Sequence, residues 1–204
     1  MPENTGANHE KMATYREVAQ IHMKCINQGF LPTLGVRFLS LLYESIDTDP
    51  KSALYIERMD GKVVGFVAGG CGMGAIYRQM LRRWPRLLLA LLPALLNPSK
   101  LKRIFEIVWF SRKQKPFPGC PRAELFSIAV LLPARGKGVA ERLYQSLVQH
   151  FSDKQESAFC IVVGDNLAQA HRFYQRMGAV PMAHISVHQG QGSTLYRHDL
   201  PNFN

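Results

Sequence analysis

A strand that runs into a glycine-rich loop, which in turn opens a helix, constrains this chain more than any other feature. The apolar run Leu125 to Leu132 reads as a buried strand, and Glu141 to Phe151 carries helical apolar spacing at Leu143, Leu147 and Val148. Between them lies Arg135-Gly136-Lys137-Gly138-Val139-Ala140. Two glycines let backbone N–H groups turn to one side, and a helix N-terminus adds partial positive charge. Such an arrangement can cradle a pyrophosphate. The same six residues also suit an ordinary tight strand-to-helix turn, and the local sequence leaves both open.

Around this unit the pattern alternates between helices and strands. Residues 1–9 look like a loose polar terminus, and Thr14 with Glu17 has the form of a capping box for a helix reaching Asn27. After a break with Gly29 and Pro32, the residues Leu34, Phe38, Leu41, Leu42 and Ser45 mark a second helix. Ala53 to Arg58 and Lys62 to Gly69 alternate as two strands, with Asp60-Gly61 as the hairpin turn. Beyond the central unit come a strand at Ala158 to Val163, a helix at Leu167 to Met177, and a closing hairpin of Val180 to His188 with Ser193 to Asp199. At 204 residues this is one α/β domain, 1–204, long enough to bury a proper core.

The net charge of +10 is unevenly placed: residues 71–120 hold ten basic residues against Glu106 alone, a net +9. This segment reads as a basic amphipathic helical insertion within the domain. Tyr77 to Arg86 carries an arginine cluster, and Pro85 suits the first turn of a new helix. The apolar run Leu87 to Leu96 is broken by Pro93, and a third helix is expected from Ser99, with Leu101, Ile104, Phe105 and Val108 on one side. Three uses compete: a plain cap on the sheet with snorkelling arginines, the wall of a pocket for an anionic substrate, and a surface for peripheral membrane contact. Leucine-rich helices are poor groove readers, so no nucleic-acid partner is expected. No apolar stretch reaches the roughly 18–20 residues that span a bilayer, and residues 1–20 lack the apolar core of a signal peptide. Cys25, Cys71, Cys120 and Cys160 have no metal-ligand spacing, and Cys160 reads as a free, buried thiol. The expectation is a metal-free protein of the reducing cytoplasm, at most peripheral to the inner face of the membrane. A homodimer is left open.

Arg135-x-x-Gly138-x-Ala140 matches the Gln/Arg-x-x-Gly-x-Gly/Ala signature of the GCN5-related N-acetyltransferases, the GNAT superfamily. Ile128-Ala129-Val130 resembles that family's fourth strand. Val163-Gly164-Asp165-Asn166, then Ala170, Phe173-Tyr174 and Gly178, resemble its fifth strand and the helix after it. The resemblance is strong over 122–179, extends to 52–70 and is absent over 71–120. Two departures stand out: Leu132 occupies the family's usual loop-proline position, with Pro133 following, and Asn166 lies eight rather than seven residues before Tyr174. The resemblance implies a GNAT-like mixed, mostly antiparallel sheet flanked by helices, with a short first strand near His9 to Ala13. It implies acetyl-CoA as acyl donor, bound by Ile128, Ala129, Val130, Arg135, Gly136, Lys137, Gly138, Val139, Ala140, Asn166 and Phe173. It also implies that the fourth strand splays from the fifth to admit the pantetheine arm.

Acetyl transfer to an amine needs a neutral amine, a stabilised carbonyl oxygen and a protonated leaving thiolate. Tyr174 can donate its phenolic proton to the sulfur, which the family's tyrosine faces; a tyrosine packed beside Phe173 is the alternative. The Val130 N–H is the expected oxyanion donor. Strand alternation puts Glu124, Phe126, Ile128 and Val130 on one face, so Glu124 could act as base through water, or be an exposed strand-end glutamate. His150, His184 and His188 are weaker candidates. The acceptor is expected to be a primary amine on an anionic or phosphate-bearing molecule. Gly29-Phe30-Leu31, Leu34-Gly35 and Phe38-Leu39 look like GNATs associated with surface-polysaccharide synthesis, so an amino sugar or nucleotide-linked amino sugar is favoured. A polyamine is disfavoured by the basic insertion, and a longer acyl donor stays open. The rival class is a non-catalytic GNAT-like module that docks on a membrane or assembly through the insertion.

Overall fold

A computed structural model describes residues 3–26, 29–95, 119–188 and 191–201. The described elements in chain order are α1 (Glu3–Cys25), α2 (Gly35–Asp47), β1 (Ser52–Met59), β2 (Lys62–Gly70), α3 (Met73–Arg82) and α4 (Trp84–Leu95). They continue with β3 (Glu124–Val130), α5 (Val139–Asp153), β4 (Ala158–Gly164), α6 (Ala168–Arg176), β5 (Val180–His188) and β6 (Gln191–Asp199). The strands form one six-stranded sheet in the order β1-β2-β3-β4-β6-β5. Every neighbouring pair is antiparallel except β3–β4. This is the mixed, mostly antiparallel sheet flanked by helices that the sequence led us to expect.

Alternating side chains load the two faces of the sheet separately. Phe66, Ala68 and Ala129 join Val18, Leu39, Leu42 and Ile46 under α1 and α2. Val67, Leu125 and Val130 join Val139, Leu143, Tyr144 and Leu147 under α5. The second layer is drawn close by a glycine: a Cβ at Gly69 would lie 2.9 Å from both the Glu124 carbonyl and a Leu147 methyl. The absence of that carbon seats α5 against the sheet and fixes where its N-terminus emerges. The β1–β2 hairpin turns at Asp60 and Gly61, with φ of 51° and 75°, as the Asp-Gly pair requires.

The N-terminal expectations fail together. Residues 3–9, the Thr14–Glu17 pair and the segment His9 to Ala13 all belong to the single helix α1, so there is neither a capping box nor a first strand there. Thr14 bonds back to the Glu10 carbonyl at 3.0 Å, the habit of a threonine inside a helix. Glu17 reaches sideways to accept the Val63 N–H at 3.0 Å, so a tertiary contact claims the carboxylate that a cap would have used.

Two helices of the basic insertion are described. Pro85 stands at the start of α4 as its fixed φ favours, but Pro93 does not end the helix, which continues to Leu95. The third expected helix, from Ser99 with Leu101, Ile104, Phe105 and Val108, lies outside the described residues. Ile76 and Met80 bury one side of α3, and Ala90 that side of α4, against α2. Buried Glu44 of α2 takes Arg83 and Arg86 as ion-pair partners, each with a contact of 2.6 Å. Two cations of the insertion thus neutralise a carboxylate inside the protein instead of facing a partner. The cysteines also differ from expectation: Cys160 is not free but forms a disulfide with Cys120. The parallel pairing brings these cysteines together, because the Cys160 N–H donates to the Ala123 carbonyl and draws the loop before β3 over β4.

Candidate active site

The parallel pair β3–β4 closes at one end only. Glu124 pairs with Cys160 and Leu125 with Ile161, and no further rung joins the two strands. On its other side β3 stays paired with β2 as far as Val130. The Leu131 N–H donates to the Val64 carbonyl at 2.9 Å, and antiparallel alternation therefore turns the backbone groups of Ile128 and Val130 away from β2, toward the gap. The Val130 carbonyl there accepts the Arg135 Nε at 3.0 Å and the Cys25 thiol at 3.8 Å. Its N–H has no acceptor among the described residues. The opening thus keeps a donor free while its matching acceptor is satisfied.

The chain leaves the open end through a 3-10 turn, Leu132–Ala134, into the glycine loop. Gly136 and Gly138 have φ of 73° and 72°, conformations that disfavour a side chain. The helix begins at Val139, two residues earlier than its spacing suggested, so Val139 and Ala140 form its first turn. Among the described residues, the N–H groups of Gly136, Lys137, Gly138, Val139 and Ala140 donate to nothing; the helical ladder begins with the Arg142 N–H on the Gly138 carbonyl at 3.1 Å. Arg142 braces the loop, with Nη1 on the Lys137 carbonyl at 3.1 Å and Nε on Glu57 at 2.8 Å. Five consecutive free donors at a helix N-terminus, flanked by exposed Arg135 and Lys137, suit a diphosphate. Arg135 has one nitrogen committed to Val130, so it ties the cradle to the gap as well as charging it.

Because β3 and β4 are parallel, α5 and α6 start from the same edge of the sheet. Arg176 pairs with Glu141 at 2.6 Å and ties α6 to the first turn of α5. Tyr174 is buried among Tyr144, Phe173 and Tyr196, with ring centroids 6.1, 5.3 and 6.4 Å away. Burial pushes its phenol pKa upward, so it holds its proton at neutral pH, the state a proton donor needs. Its hydroxyl has no hydrogen-bond partner among the described residues. Phe173 stacks edge-on against Tyr144 and lies under the Arg176 guanidinium, a packing role on this geometry. Asn166 is exposed at the start of the α6 connection, where only neighbouring Asp165 makes a side-chain bond, accepting from Thr194 at 3.0 Å.

Glu124 stands at the closed end of the gap, six residues or roughly 20 Å along the strand from Val130. The expected face of Glu124, Phe126, Ile128 and Val130 does not exist. A bulge between the pairs Ala68–Ser127 and Gly69–Leu125 breaks the alternation. Phe126 packs under α1 and α2, while Ile128 and Val130 pack under α5. Glu124 keeps an exposed edge, yet the protein around its carboxylate pushes the pKa up by desolvation, which favours proton uptake. His150 sits in the last turn of α5, with its pKa lowered chiefly by burial, and His184 is an exposed residue 3.9 Å from Asp165. His188 ends β5.

Sequence reasoning missed a buried chain on the opposite face. His22 Nδ1 lies 2.5 Å from the Tyr43 hydroxyl, which lies 3.1 Å from the Ser127 hydroxyl on the bulge. Burial lowers the His22 pKa to about 4, so the imidazole is neutral. Nothing local marks these three residues; they lie on α1, α2 and β3, and only the fold joins them.

The comparisons agree with this geometry. The family model described as "Acetyltransferase (GNAT) family" matches residues 16–179. No curated protein matches the chain in sequence. Among solved structures, a GNAT-family protein of Desulfovibrio desulfuricans aligns with a TM-score of 0.55 at 14% identity, over 98% of this chain and 94% of that one. An N-acetyltransferase of Staphylococcus aureus aligns at 0.51 and 14% identity, over 82% and 78%. A Bacillus anthracis protein solved in complex with acetyl coenzyme A aligns at 0.50 and 13% identity, over 78% and 69%. Identities this low speak to the fold, and the family match speaks to the chemistry. Because that family model covers most of the chain, the chain belongs to the GNAT acetyltransferases, enzymes that take their acetyl group from acetyl-CoA.

Proposed function

We propose that the protein is an N-acetyltransferase that moves the acetyl group of acetyl-CoA to a primary amine by direct attack in a ternary complex. The acceptor in this reading is anionic or phosphate-bearing, with an amino sugar or nucleotide-linked amino sugar favoured. One observation carries it: the gap between β3 and β4 offers the free Val130 N–H, and the loop that leaves its open end carries the five free amides of residues 136–140. The loop amides, with Arg135 and Lys137, hold the diphosphate of the donor. The outward backbone of Ile128 and Val130 takes the pantetheine arm as a missing strand would. As the amine nitrogen bonds to the thioester carbon, the Val130 N–H receives the charge that develops on the carbonyl oxygen. When the carbon–sulfur bond breaks, Tyr174 supplies a proton to the sulfur. The proton that the amine releases passes to water, because Glu124, roughly 20 Å along β3 from Val130, is out of reach of the reacting nitrogen.

The acceptor preference rests on charge. Arg78 and Arg82 are exposed and unpaired among the described residues, and α3 and α4 contain no acidic residue. The test is thiol release from acetyl-CoA against a panel of amines at increasing ionic strength. Turnover of a nucleotide-linked amino sugar, with a Michaelis constant that rises steeply with salt, supports the reading. Preference for a polyamine with a salt-insensitive constant rejects it.

A further inference from the structure

The helices α3 and α4 carry two apolar faces, and only one of them is used. Ile76, Met80 and Ala90 are at most 4% exposed against the body of the protein. On the other side Trp84 is 65% exposed, Leu89 57%, Leu88 and Leu92 48% each, and Leu81 46%. Trp84, Leu88 and Leu92 recur every four residues and form one stripe along α4, with Leu89 beside it and Leu81 continuing it onto α3. A helix that is apolar all round belongs in a core or against lipid. Five large side chains clustered on one surface are not the scattered exposure that a soluble monomer ordinarily shows.

The charge around the stripe selects the occupant. Residues 73–95 contain four arginines and no acidic residue. Arg83 and Arg86 are drawn onto Glu44, which pins both helices to α2. Arg78 and Arg82, one helical turn apart and exposed, remain for a partner. The next stretch of sequence, 96–118, adds six basic residues and one acidic. A tryptophan and leucines rimmed by arginines match the interface of an anionic bilayer, where the apolar side chains enter the acyl boundary and the guanidinium groups meet phosphate. No helix among the described residues is long and apolar enough to cross a membrane, so this contact lies on the surface.

We infer that the α3–α4 face, centred on Trp84, Leu88 and Leu92, docks the protein on an anionic lipid surface. α4 also packs on the turn Leu31–Leu34, so a docked protein holds the α1–α2 connection close to the headgroups. The inference shares Arg78 and Arg82 with the acceptor reading, but lipid binding is measured without any acceptor, so the two fail separately.

The test uses the full chain with Trp109→Phe, which leaves Trp84 as the sole tryptophan. It is sedimented with phosphatidylcholine vesicles and with vesicles containing about one-third phosphatidylglycerol. The expected result is retention by the anionic vesicles alone, with Trp84 emission shifted to the blue and quenched by brominated lipid. Leu88→Glu with Leu92→Glu should lower the partition at least about tenfold. Acetyl-CoA affinity measured on the same sample should stay within about twofold, which shows that the variant is folded. Failure to sediment with anionic vesicles overturns the inference, as does equal sedimentation of the glutamate variant. So does a Trp84 already shielded from an aqueous quencher without lipid. Shielding that grows with protein concentration then assigns the face to a second copy, and concentration-independent shielding to residues 96–118.

Discussion

The two faces of the split sheet are built on different principles. The α5 face, where the donor is proposed to bind, works through backbone: Val130 and residues 136–140 present N–H groups that need only the right φ and an early helix start. The α1–α2 face works through side chains, with His22, Tyr43 and Ser127 linked in a chain and Glu44 clamped by two arginines. Outside the two glycines, backbone recognition tolerates wide sequence change, because every residue but proline supplies an amide N–H. Side-chain contacts do not, because each needs a particular residue on each of two elements.

The largest expected effect tests the one side chain of the donor face that is proposed to take part in the chemistry. Tyr174→Phe removes only a hydroxyl from a packed ring, so acetyl-CoA should still bind while turnover falls by roughly 10²- to 10⁴-fold. Single-turnover kinetics with an unchanged rate would return Tyr174 to a packing role.

The side-chain face should show its cost in pH. His22 is buried neutral with its pKa lowered from 6.5 to about 4. The unfolded chain takes up this proton first as the pH falls, so His22 lends full stability above about pH 6.5. That contribution is lost progressively down to about pH 4, and approaches 3 kcal/mol in order of magnitude. Denaturant titrations from pH 7 to 4 should give a shallower slope for His22→Gln. Parallel slopes would mean that His22 is hydrated in solution.

Gly138→Val probes the backbone principle directly. It puts a β-branched residue at φ 72°, and its Cβ would stand 3.3 Å from Arg142 Nη1, the brace of the loop. Losing even one amide contact to a phosphate should weaken acetyl-CoA binding by about 1.5–3 kcal/mol, with the fold retained. Calorimetry that finds equal affinity would show that the cradle is only a turn. The smallest effect is expected on the α1–α2 face. Ser127→Ala ends the His22–Tyr43 chain at a site half open to solvent and should cost about 0.5–1.5 kcal/mol of stability. If the acceptor's Michaelis constant also shifts while that for acetyl-CoA stays put, the comparison sharpens into a division of labour.

Much of this protein could be read from the chain because its decisive units are local. The strand, the glycine loop and the helix of 125–151 are contiguous, and the φ values at Gly136 and Gly138 follow from having glycine there. The Asp60-Gly61 turn and the closing hairpin are local in the same sense. What failed depended on contacts across the fold. Thr14 and Glu17 have the spacing of a cap, but Val63 claims the glutamate and the helix runs through. Glu124, Phe126, Ile128 and Val130 alternate in sequence, but the bulge against β2 sends them to different sides.

The sequence by itself determined the order of elements and the glycine turn that opens α5, because torsional preference and apolar spacing act over a few residues. Only the tertiary structure decided that β3 and β4 part after two rungs, because a gap is a property of two strands. It alone joined His22 to Ser127, bonded Cys120 to Cys160, and turned Arg83 and Arg86 inward to Glu44. It alone left Trp84, Leu88 and Leu92 facing out, because burial depends on what the rest of the chain happens to cover.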